Sequence, residues 1–383
     1  MGGQTRSSSS IGCSLPVQPL VSVVLPTFNA PDYIADAVHS VRQSTYANWK
    51  CIVVDDGSTD DTLDRAKAAA ADDPRFLFIV QENGGQIAAI NRATRYVQGE
   101  IVALLDNDDV FLPTKIDRVV STFRQRPLAG LLTHRMYVSD ERLNILGVMP
   151  LTDRLLDGDL RPQLQRNTSG DPRFGVTSAM VLRRSIFDQL FPADPAIRFF
   201  PDELIRRIAP LIAEVASCSE PLGIRRTHRQ NHTNATDDKL AAFVRETMAT
   251  YRLIERSQRQ VASSLGIELP VADLDLDLME AVIARLDGRE DAARHRAKVL
   301  ASEQFAVLPA ERQLYWRISL SVPRPALSAL VRQLYSPSSL KLLLNWFWMR
   351  RLRRTGVIPA VGPSPELPAW DVARWALSSA VAR

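Results

Sequence analysis

The sequence predicts an α/β protein with a mostly parallel sheet and flanking helices, followed by a helical C-terminal region. From residue 20, short apolar runs rich in Val, Ile and Leu alternate with segments of helical period, and the connections are short. After Gly130 the pattern changes to pairs of strands, and from Asp237 onward it is almost entirely helical. The alternation predicts right-handed crossovers between parallel strands.

The elements follow in order from these patterns. Strands are predicted at Val21–Leu25, Cys51–Val54, Phe76–Val80 and Ile101–Leu105, and helices at Asp32–Ser44, Thr59–Ala71, Ile87–Val97 and Thr114–Arg124. The next part predicts a hairpin of Leu131–Val138 and Leu143–Val148, a strand at Val176–Leu182, a helix at Glu203–Val215 and a last strand at Leu222–Thr227. Helices are then expected at Asp237–Ala262, Asp273–Leu286 and Arg289–Leu300.

Composition limits the functional classes. The 383 residues are 45% hydrophobic and 23% charged, which is ordinary for a globular protein, and the net charge of +4 gives no case for nucleic acid. Three widely spaced cysteines suggest neither a disulfide framework nor a zinc site and fit a reducing, cytoplasmic compartment. We expect a disordered tail at 1–18, a catalytic domain at 19–234 and a helical region at 235–383.

A cluster of carboxylates follows the fourth strand. Asp106 and Asp108 are one residue apart, and such close like charges repel each other unless a cation lies between them. Mn²⁺ or Mg²⁺ would suit, because hard cations take carboxylate and phosphate oxygens. The carboxyl end of a strand is also where open α/β sheets bind ligands. The alternative is a polar turn that leads into a helix.

Four segments resemble family 2 glycosyltransferases of the GT-A fold. They are Val23–Asn29, Val53–Asp60, Asn83–Asn91 and Leu105–Asp109, in the family's order and spacing, and the resemblance covers about residues 20–232. It implies a Rossmann-like nucleotide-binding half, a mixed-sheet acceptor half and an inverting, metal-dependent transfer. The sugar would pass from a nucleotide diphosphate sugar to a hydroxyl of a glycan or lipid-linked acceptor, as in cell-surface polysaccharide synthesis.

The resemblance supplies most of the candidate donor site. The candidate nucleotide-sugar-binding residues are Pro26, Thr27, Asn29, Asp55, Asp56, Asn83, Gly85, Asn91, Asp106 and Asn107. Asp55 ends the second strand, and a carboxylate there suits the N–H donors of uracil or guanine, which favours UDP-, dTDP- or GDP-sugars. The alternative is a turn before a helix capped by Ser58 or Thr59. Ile90 stands where the family usually has Arg.

By resemblance, Asp106 bridges the ribose or metal, and Asp108 coordinates the metal. His228, after the last strand, is a candidate third metal ligand. Because neutral imidazole suits Mn²⁺ better than Mg²⁺, this ligand would favour Mn²⁺. The family's Glu-Asp pair is absent, so we expect the catalytic base to be Asp202, with Glu203 as second choice. Alternatively, both are carboxylates favoured at a helix N-terminus.

Residues 338–354 predict contact with an anionic membrane surface. The segment combines an apolar run, Trp346 and Trp348 with four Arg residues at its end, a pattern typical of interfacial helices. It would make the protein peripheral on the inner face of the membrane, although a helix packed on the domain or at a dimer interface is the alternative. The rival function is a catalytically inactive glycosyltransferase-like scaffold in an envelope complex, which the missing Glu-Asp pair and Ile90 suggest.

Overall fold

The computed structural model describes residues 15–150, 152, 154–166, 173–228, 240–308 and 310–335. Within these ranges, nine strands form a single sheet. The strands are β1 (Val21–Thr27), β2 (Trp49–Asp55), β3 (Phe76–Val80), β4 (Ile101–Leu104), β5 (Val110–Phe111), β6 (Ala129–Ser139), β7 (Ile145–Met149), β8 (Met180–Arg183) and β9 (Glu214–Arg226). Their order is β3-β2-β1-β4-β8-β6-β9-β5, with β7 paired to β6.

The helices of the described ranges lie between and after these strands. They are α1 (Ile34–Arg42), α2 (Thr62–Ala70), α3 (Gln86–Ala93), α4 (Lys115–Gln125), α5 (Arg161–Leu164), α6 (Arg184–Leu190), α7 (Pro201–Ile212), α8 (Leu240–Ser264), α9 (Leu274–Leu286), α10 (Ala292–Ala301), α11 (Glu303–Ala306), α12 (Ala310–Ser319) and α13 (Arg324–Tyr335). The predicted helical C-terminal region is thereby confirmed as far as residue 335.

The first half of the sheet is parallel, as predicted. Strands β3, β2, β1 and β4 run in one direction, and every residue of β1 is buried because helices cover both faces. Thr27 pairs with Asp55, and Val24 pairs with Leu104. The carboxyl ends of β1, β2 and β4 therefore meet at one edge of the sheet, where the candidate residues follow.

The second half of the sheet is mixed, also as predicted. β8 is antiparallel to both β4 and β6, whereas β9 runs parallel to β6 and antiparallel to β5. Several boundaries differ from the prediction, and the largest changes concern α7, β8 and β9. The helix expected at Glu203–Val215 is Pro201–Ile212. Thr177–Ala179 forms a 3₁₀ turn before β8, so the strand expected at Val176–Leu182 is Met180–Arg183. The last strand begins already at Glu214, because it pairs along β6 through several register shifts.

Apolar side chains pack on both faces of the sheet. Alternation along β1 sends Val24 to one core, with residues of α3, α6 and α7, and sends Val23 and Leu25 to the other, with residues of α1, α2 and α4. A third core joins α8 and α9 with the helices that follow. Ile254 of α8 belongs to the first core, so the C-terminal helices pack directly on the catalytic domain.

The two ends of the chain lie partly outside the described residues. Of the predicted tail, Leu15 packs against the core, and the carbonyl oxygen of Gln18 accepts a hydrogen bond from Asn48 at 2.8 Å. Residues 338–354 are outside the described ranges, so the membrane contact stays a prediction. No helix in the part of the chain described here is long and apolar enough to cross a membrane.

Candidate active site

A cleft of about 550 Å³ opens at the carboxyl edge of β1, β2 and β4. It collects most of the candidate residues from segments far apart in sequence. Those that line it are Pro26, Thr27, Asn29, Asp56, Asn83, Gly85, Asp106, Asn107, Asp108, Asp202 and His228. Its wall also includes Phe28, Tyr33, Gln86, Asp109, Val176, Thr177, Phe199, Phe200 and Arg225.

Asp106 is fixed by two hydrogen bonds. Its backbone N–H donates to Ser178 Oγ at 2.9 Å, and Gln86 Nε2 donates to Asp106 Oδ1 at 2.7 Å. Burial and the neighbouring carboxylates of Asp109, Asp108 and Asp202 raise the pKa of Asp106 well above its ordinary value, while Arg225 opposes that shift. The cleft therefore holds more negative charge than its own cations balance.

Asp108 lies beside His228, as the metal hypothesis requires. His228 Nε2 is 2.9 Å from Asp108 Oδ2, and the imidazole ring lies 4.3 Å from the Tyr33 ring, centroid to centroid. β9 delivers His228 to this edge, because its end lies next to β5 and thus next to the carboxylate turn. The β5–β9 pairing is what joins the two segments.

Asp109 in the cleft wall and Lys115 behind it are both buried. The backbone N–H of Arg226 donates to Asp109 Oδ1 at 3.0 Å, and burial together with Asp108 raises the pKa of Asp109 to about 7. The Lys115 ammonium donates to the carbonyl oxygen of Ser178 at 2.5 Å and lies 3.4 Å from the Phe111 ring centroid. Burial lowers the pKa of Lys115, and the charges of Asp109 and Asp106 oppose that shift.

The donor atoms of the cleft fit a hard divalent cation that is shared with a diphosphate. Asp106 and Asp108 supply carboxylate oxygens, and their mutual repulsion is what a cation would relieve. In the described residues, no group of three or more His, Cys, Asp or Glu side chains is arranged to hold an ion alone.

The loop after β3 is held by Asp56. Its carboxylate accepts hydrogen bonds from the backbone N–H groups of Gly84 and Gly85, at 2.9 and 2.7 Å, and from the side chains of Gln81 and Asn83, at 2.7 and 3.2 Å. Four donors fill the acceptor sites of one carboxylate. Asp56 therefore shapes the cleft wall by ordering the backbone at this position.

Asp55 is buried and is not among the residues that line the cleft. Its carboxylate accepts hydrogen bonds from the backbone N–H and the hydroxyl of Ser58. The expectation that it faces the crevice is therefore not met, and its contact with a nucleobase stays a prediction. The contacts agree with the alternative of a turn before a helix, but α2 begins at Thr62 after Asp61, so neither Ser58 nor Thr59 caps the helix as that alternative expected.

The turn after β1 is fixed by its side chains. Asn107 Nδ2 donates to Thr27 Oγ1 at 3.2 Å, which ties the carboxylate turn to β1. Asn29 has a φ of 44°, which Asn tolerates better than most residues, and its Oδ1 accepts from the backbone N–H of Thr59 at 2.9 Å. Pro26, Thr27 and Asn29 thus all reach the cleft, as predicted.

Asn91 does not reach the cleft. Its side-chain amide donates to the carbonyl oxygen of Ala193 at 2.9 Å and accepts from the backbone N–H of Ala193 at 2.7 Å. Both polar atoms are occupied in tying α3 to the segment before α7, so the predicted nucleotide contact is replaced by a structural one. Ile90, where the family usually has Arg, is fully buried in the apolar core.

The two candidate bases have different surroundings. Asp202 lines the cleft, and burial raises its pKa, while Arg206 and Arg225 oppose that shift. Glu203 is 1% exposed and forms ion pairs with Arg206 and Arg207 inside the protein. Only Asp202 is therefore positioned to meet a substrate, and the second choice is not brought to the site.

Comparison with known proteins identifies the family. Residues 22–191 match the family model described as Glycosyl transferase family 2. An uncharacterized glycosyltransferase of Nostoc is 30% identical over 220 residues, which are 56% of this chain and 67% of that protein. The chain belongs to the family 2 glycosyltransferases. The sheet of this glycosyltransferase is parallel in one half and mixed in the other. This is the GT-A arrangement that was predicted from the sequence.

Two other relatives match shorter segments. A putative teichuronic acid biosynthesis glycosyltransferase of Bacillus subtilis is 40% identical over 117 residues, 30% of this glycosyltransferase and 46% of the relative. A UDP-Glc:alpha-D-GlcNAc-diphosphoundecaprenol beta-1,3-glucosyltransferase of Escherichia coli is 37% identical over 103 residues, 27% of this chain and 40% of the relative. The chain thus spans less than half the length of these two relatives.

Among solved structures, a mannosyltransferase from Pyrobaculum calidifontis in complex with GDP-Man and Mn²⁺ has a TM-score of 0.49 and 17% identity. That likeness covers 88% of each chain. TarS of S. aureus in complex with UDP has a TM-score of 0.44 and 16% identity, over 88% of this glycosyltransferase and 91% of that chain.

Three residues of the glycosyltransferase site were missed by sequence reasoning. Gln86, Lys115 and Ser178 each bond to the carboxylate turn or to the segment that supports it. Gln86 follows Gly85 directly, so its position at the start of α3 was the available signal. Ser178 and Lys115 belong to segments read only as a strand and a helix, and no pattern marks a side chain for this contact.

Proposed function

We propose that this glycosyltransferase moves a sugar from a UDP-, dTDP- or GDP-sugar to a hydroxyl of a glycan or lipid-linked acceptor, with Mg²⁺ or Mn²⁺, in polysaccharide synthesis. The observation that carries the proposal is the single cleft that holds Asp106, Asp108 and His228 together with Asp202. The candidate metal ligands and a candidate base thus face the same cleft, as transfer of a sugar between two substrates requires.

Asp106 and Asp108 would hold a divalent cation together with the donor diphosphate, and His228 would complete or orient that group. The bound cation would supply neutralisation of the charge that develops on the departing nucleotide. Arg225 lines the same cleft and adds positive charge at its wall. Gln86 and Ser178 keep Asp106 in place through their hydrogen bonds.

Asp202 would accept the proton of the acceptor hydroxyl as that oxygen attacks the sugar carbon. A base acts efficiently when its pKa is close to the working pH, and burial moves the pKa of Asp202 in that direction. In-line attack opposite the leaving diphosphate would invert the anomeric centre. Inversion rests on the family resemblance, since the positions of the groups alone do not determine stereochemistry.

The relatives support the class of acceptor. The Bacillus relative is named for teichuronic acid biosynthesis, and the Escherichia relative is named for an acceptor that carries a diphosphoundecaprenol lipid. They favour a cell-surface polysaccharide over a small soluble acceptor.

The test is nucleotide release from UDP-, dTDP-, GDP-, CDP- and ADP-sugars with Mg²⁺ or Mn²⁺. We expect slow, metal-dependent release from one uridine, thymidine or guanosine donor, and its loss in Asp108→Ala. Asp188→Asn, which changes an exposed carboxylate on α6, is the matched control and should release nucleotide at the wild-type rate. Metal-dependent nucleotide binding without release would favour the scaffold instead, and no binding would contradict the donor site.

A further inference from the structure

Two aromatic side chains form the wall of the cleft next to Asp202. Phe199 and Phe200 line the cleft and are half-buried, so part of each ring remains accessible. They precede α7, whereas the carboxylate turn after β4 forms another part of the wall. The function proposed above uses Asp202 but assigns nothing to these rings.

The backbone of Phe200 is strained. Its φ is 65° and its ψ is 55°, the left-handed conformation that a bulky residue rarely adopts. Strain of this kind persists only where the surroundings enforce it, and it concentrates at functional sites. A glycine or asparagine would adopt this conformation more easily, so the aromatic ring at this position calls for its own explanation.

The C-terminal helices hold the Phe200 ring. Tyr251 of α8 packs edge-to-face against it, with ring centroids 6.0 Å apart and an interplanar angle of 82°. Tyr251 is itself fixed from α7, since Arg206 Nη2 donates to its hydroxyl at 3.4 Å and the Arg207 guanidinium lies 5.4 Å from its ring centroid. A residue far outside the family-matched segment therefore sets the position of a cleft-lining ring.

We propose that Phe200, held by Tyr251, is a stacking platform for a pyranose ring of the acceptor. The face of an aromatic ring is electron-rich and attracts the weakly positive C–H groups of a sugar. A pyranose stacked there would bring one of its hydroxyls towards Asp202, two residues along the chain. This inference rests on the proposed function, because it assigns a substrate to the acceptor end of the same cleft.

The test is saturation-transfer NMR with the full chain, UDP and Mg²⁺, using a panel of methyl pyranosides and ribitol phosphate as an open-chain comparison. We expect transfer to the C–H face of at least one pyranoside and none to ribitol phosphate. Phe200→Leu should weaken that binding roughly 3- to 10-fold, since an aromatic contact is lost. Phe200→Tyr keeps the ring and should bind like the wild type.

A second pair of variants guards against misfolding of Phe200→Leu. Tyr251→Leu should weaken pyranoside binding without weakening UDP binding, whereas Arg245→Gln, which breaks an exposed ion pair with Asp287, should change neither. Normal UDP binding with no pyranoside signal, or an equal signal in Phe200→Leu and the wild type, would overturn the platform alone. If the wild type bound none of UDP, dTDP and GDP, that result would instead contradict the donor site.

Discussion

At the residue scale, the site depends on neighbouring carboxylates that do different work. Asp202 faces the cleft, whereas Glu203, the next residue, is buried among arginines. Asp56 accepts four hydrogen bonds, and Asp55 binds Ser58. Residue type alone therefore does not assign a role, because each carboxylate is defined by the donors that surround it.

The pH dependence of transfer should reveal Asp202. A base must be deprotonated, so activity falls as pH decreases through its pKa, which burial raises above the ordinary aspartate value. Arg206 lowers that pKa, so Arg206→Gln should raise it and move the acid limb of the kcat profile to higher pH. Asp202→Asn should lose about 100-fold or more in kcat.

Nucleotide binding provides the control for both variants, because neither residue is assigned to the donor. UDP affinity should stay within twofold of the wild type, as measured by calorimetry. An acid limb that stays in place or moves to lower pH in Arg206→Gln would contradict Asp202 as the base. The unfolding temperature of this variant must also be measured, since Arg206 pairs with the buried Glu203.

At the element scale, the turn between β3 and α3 depends on Gly85. Its φ is 95°, and a Cβ atom there would lie 2.8 Å from the carbonyl oxygen of Arg198. The same carbonyl accepts from the backbone N–H of Ile87 at 3.0 Å, so this turn joins α3 to the segment before α7. Glycine is therefore required at position 85 because the backbone of Arg198 lies close to it, and not only because the turn needs a positive φ.

Gly85→Ala should lower the free energy of unfolding by more than Gly158→Ala. Both glycines have positive φ, and the strain of an alanine in that conformation costs on the order of 1 kcal/mol at either site. Only Gly85 meets a neighbouring backbone atom, since nothing lies within 4 Å of a Cβ at Gly158. Urea unfolding measures the difference, and equal losses would show that the contact with Arg198 is easily relieved.

Sequence patterns predicted the elements better than the side-chain partners. Buried β1 and β2 are continuous apolar runs between helical segments, so their parallel pairing followed from local patterns. The start of β9 did not, because Glu214–Pro221 pairs with β6 through register shifts and has no alternating pattern. Contacts such as Asn91 with Ala193 join distant residues, and no local pattern encodes them.

At the scale of the whole molecule, a buried ion cluster fastens the C-terminal helices to the catalytic domain. Arg207 of α7 pairs with Glu203 on its own helix, and with Asp273 and Asp275 at the start of α9, the latter at 2.8 Å. Gln258 of α8 adds a hydrogen bond to the carbonyl oxygen of Arg207 at 3.1 Å. The helix that carries Asp202 is thus fixed from outside the family-matched segment.

Sequence reasoning could not predict this attachment. The C-terminal region showed helical periodicity and matched no family, so its helices were expected but their packing partners were not. The attachment is centred on Arg207. Its three carboxylate partners come from two helices, one of which begins 66 residues later, as the separation from Asp273 shows.

Asp273→Asn should therefore destabilise the whole protein. The change removes one of the three carboxylate partners of the buried Arg207 guanidinium, and losing a buried hydrogen bond to a charged group costs about 1.5–3 kcal/mol. Asp287→Asn is the matched control, because it breaks a more exposed pair, that of Arg245 on α8 with Asp287 directly after α9, and such pairs contribute about 0–1 kcal/mol. Denaturant unfolding followed by circular dichroism measures both.

If the two variants lost equal stability, the buried cluster would not fasten the C-terminal helices. If Asp273→Asn instead gave two separate transitions, with the control giving one, the cluster would be what couples the folding of the helical region to that of the catalytic domain.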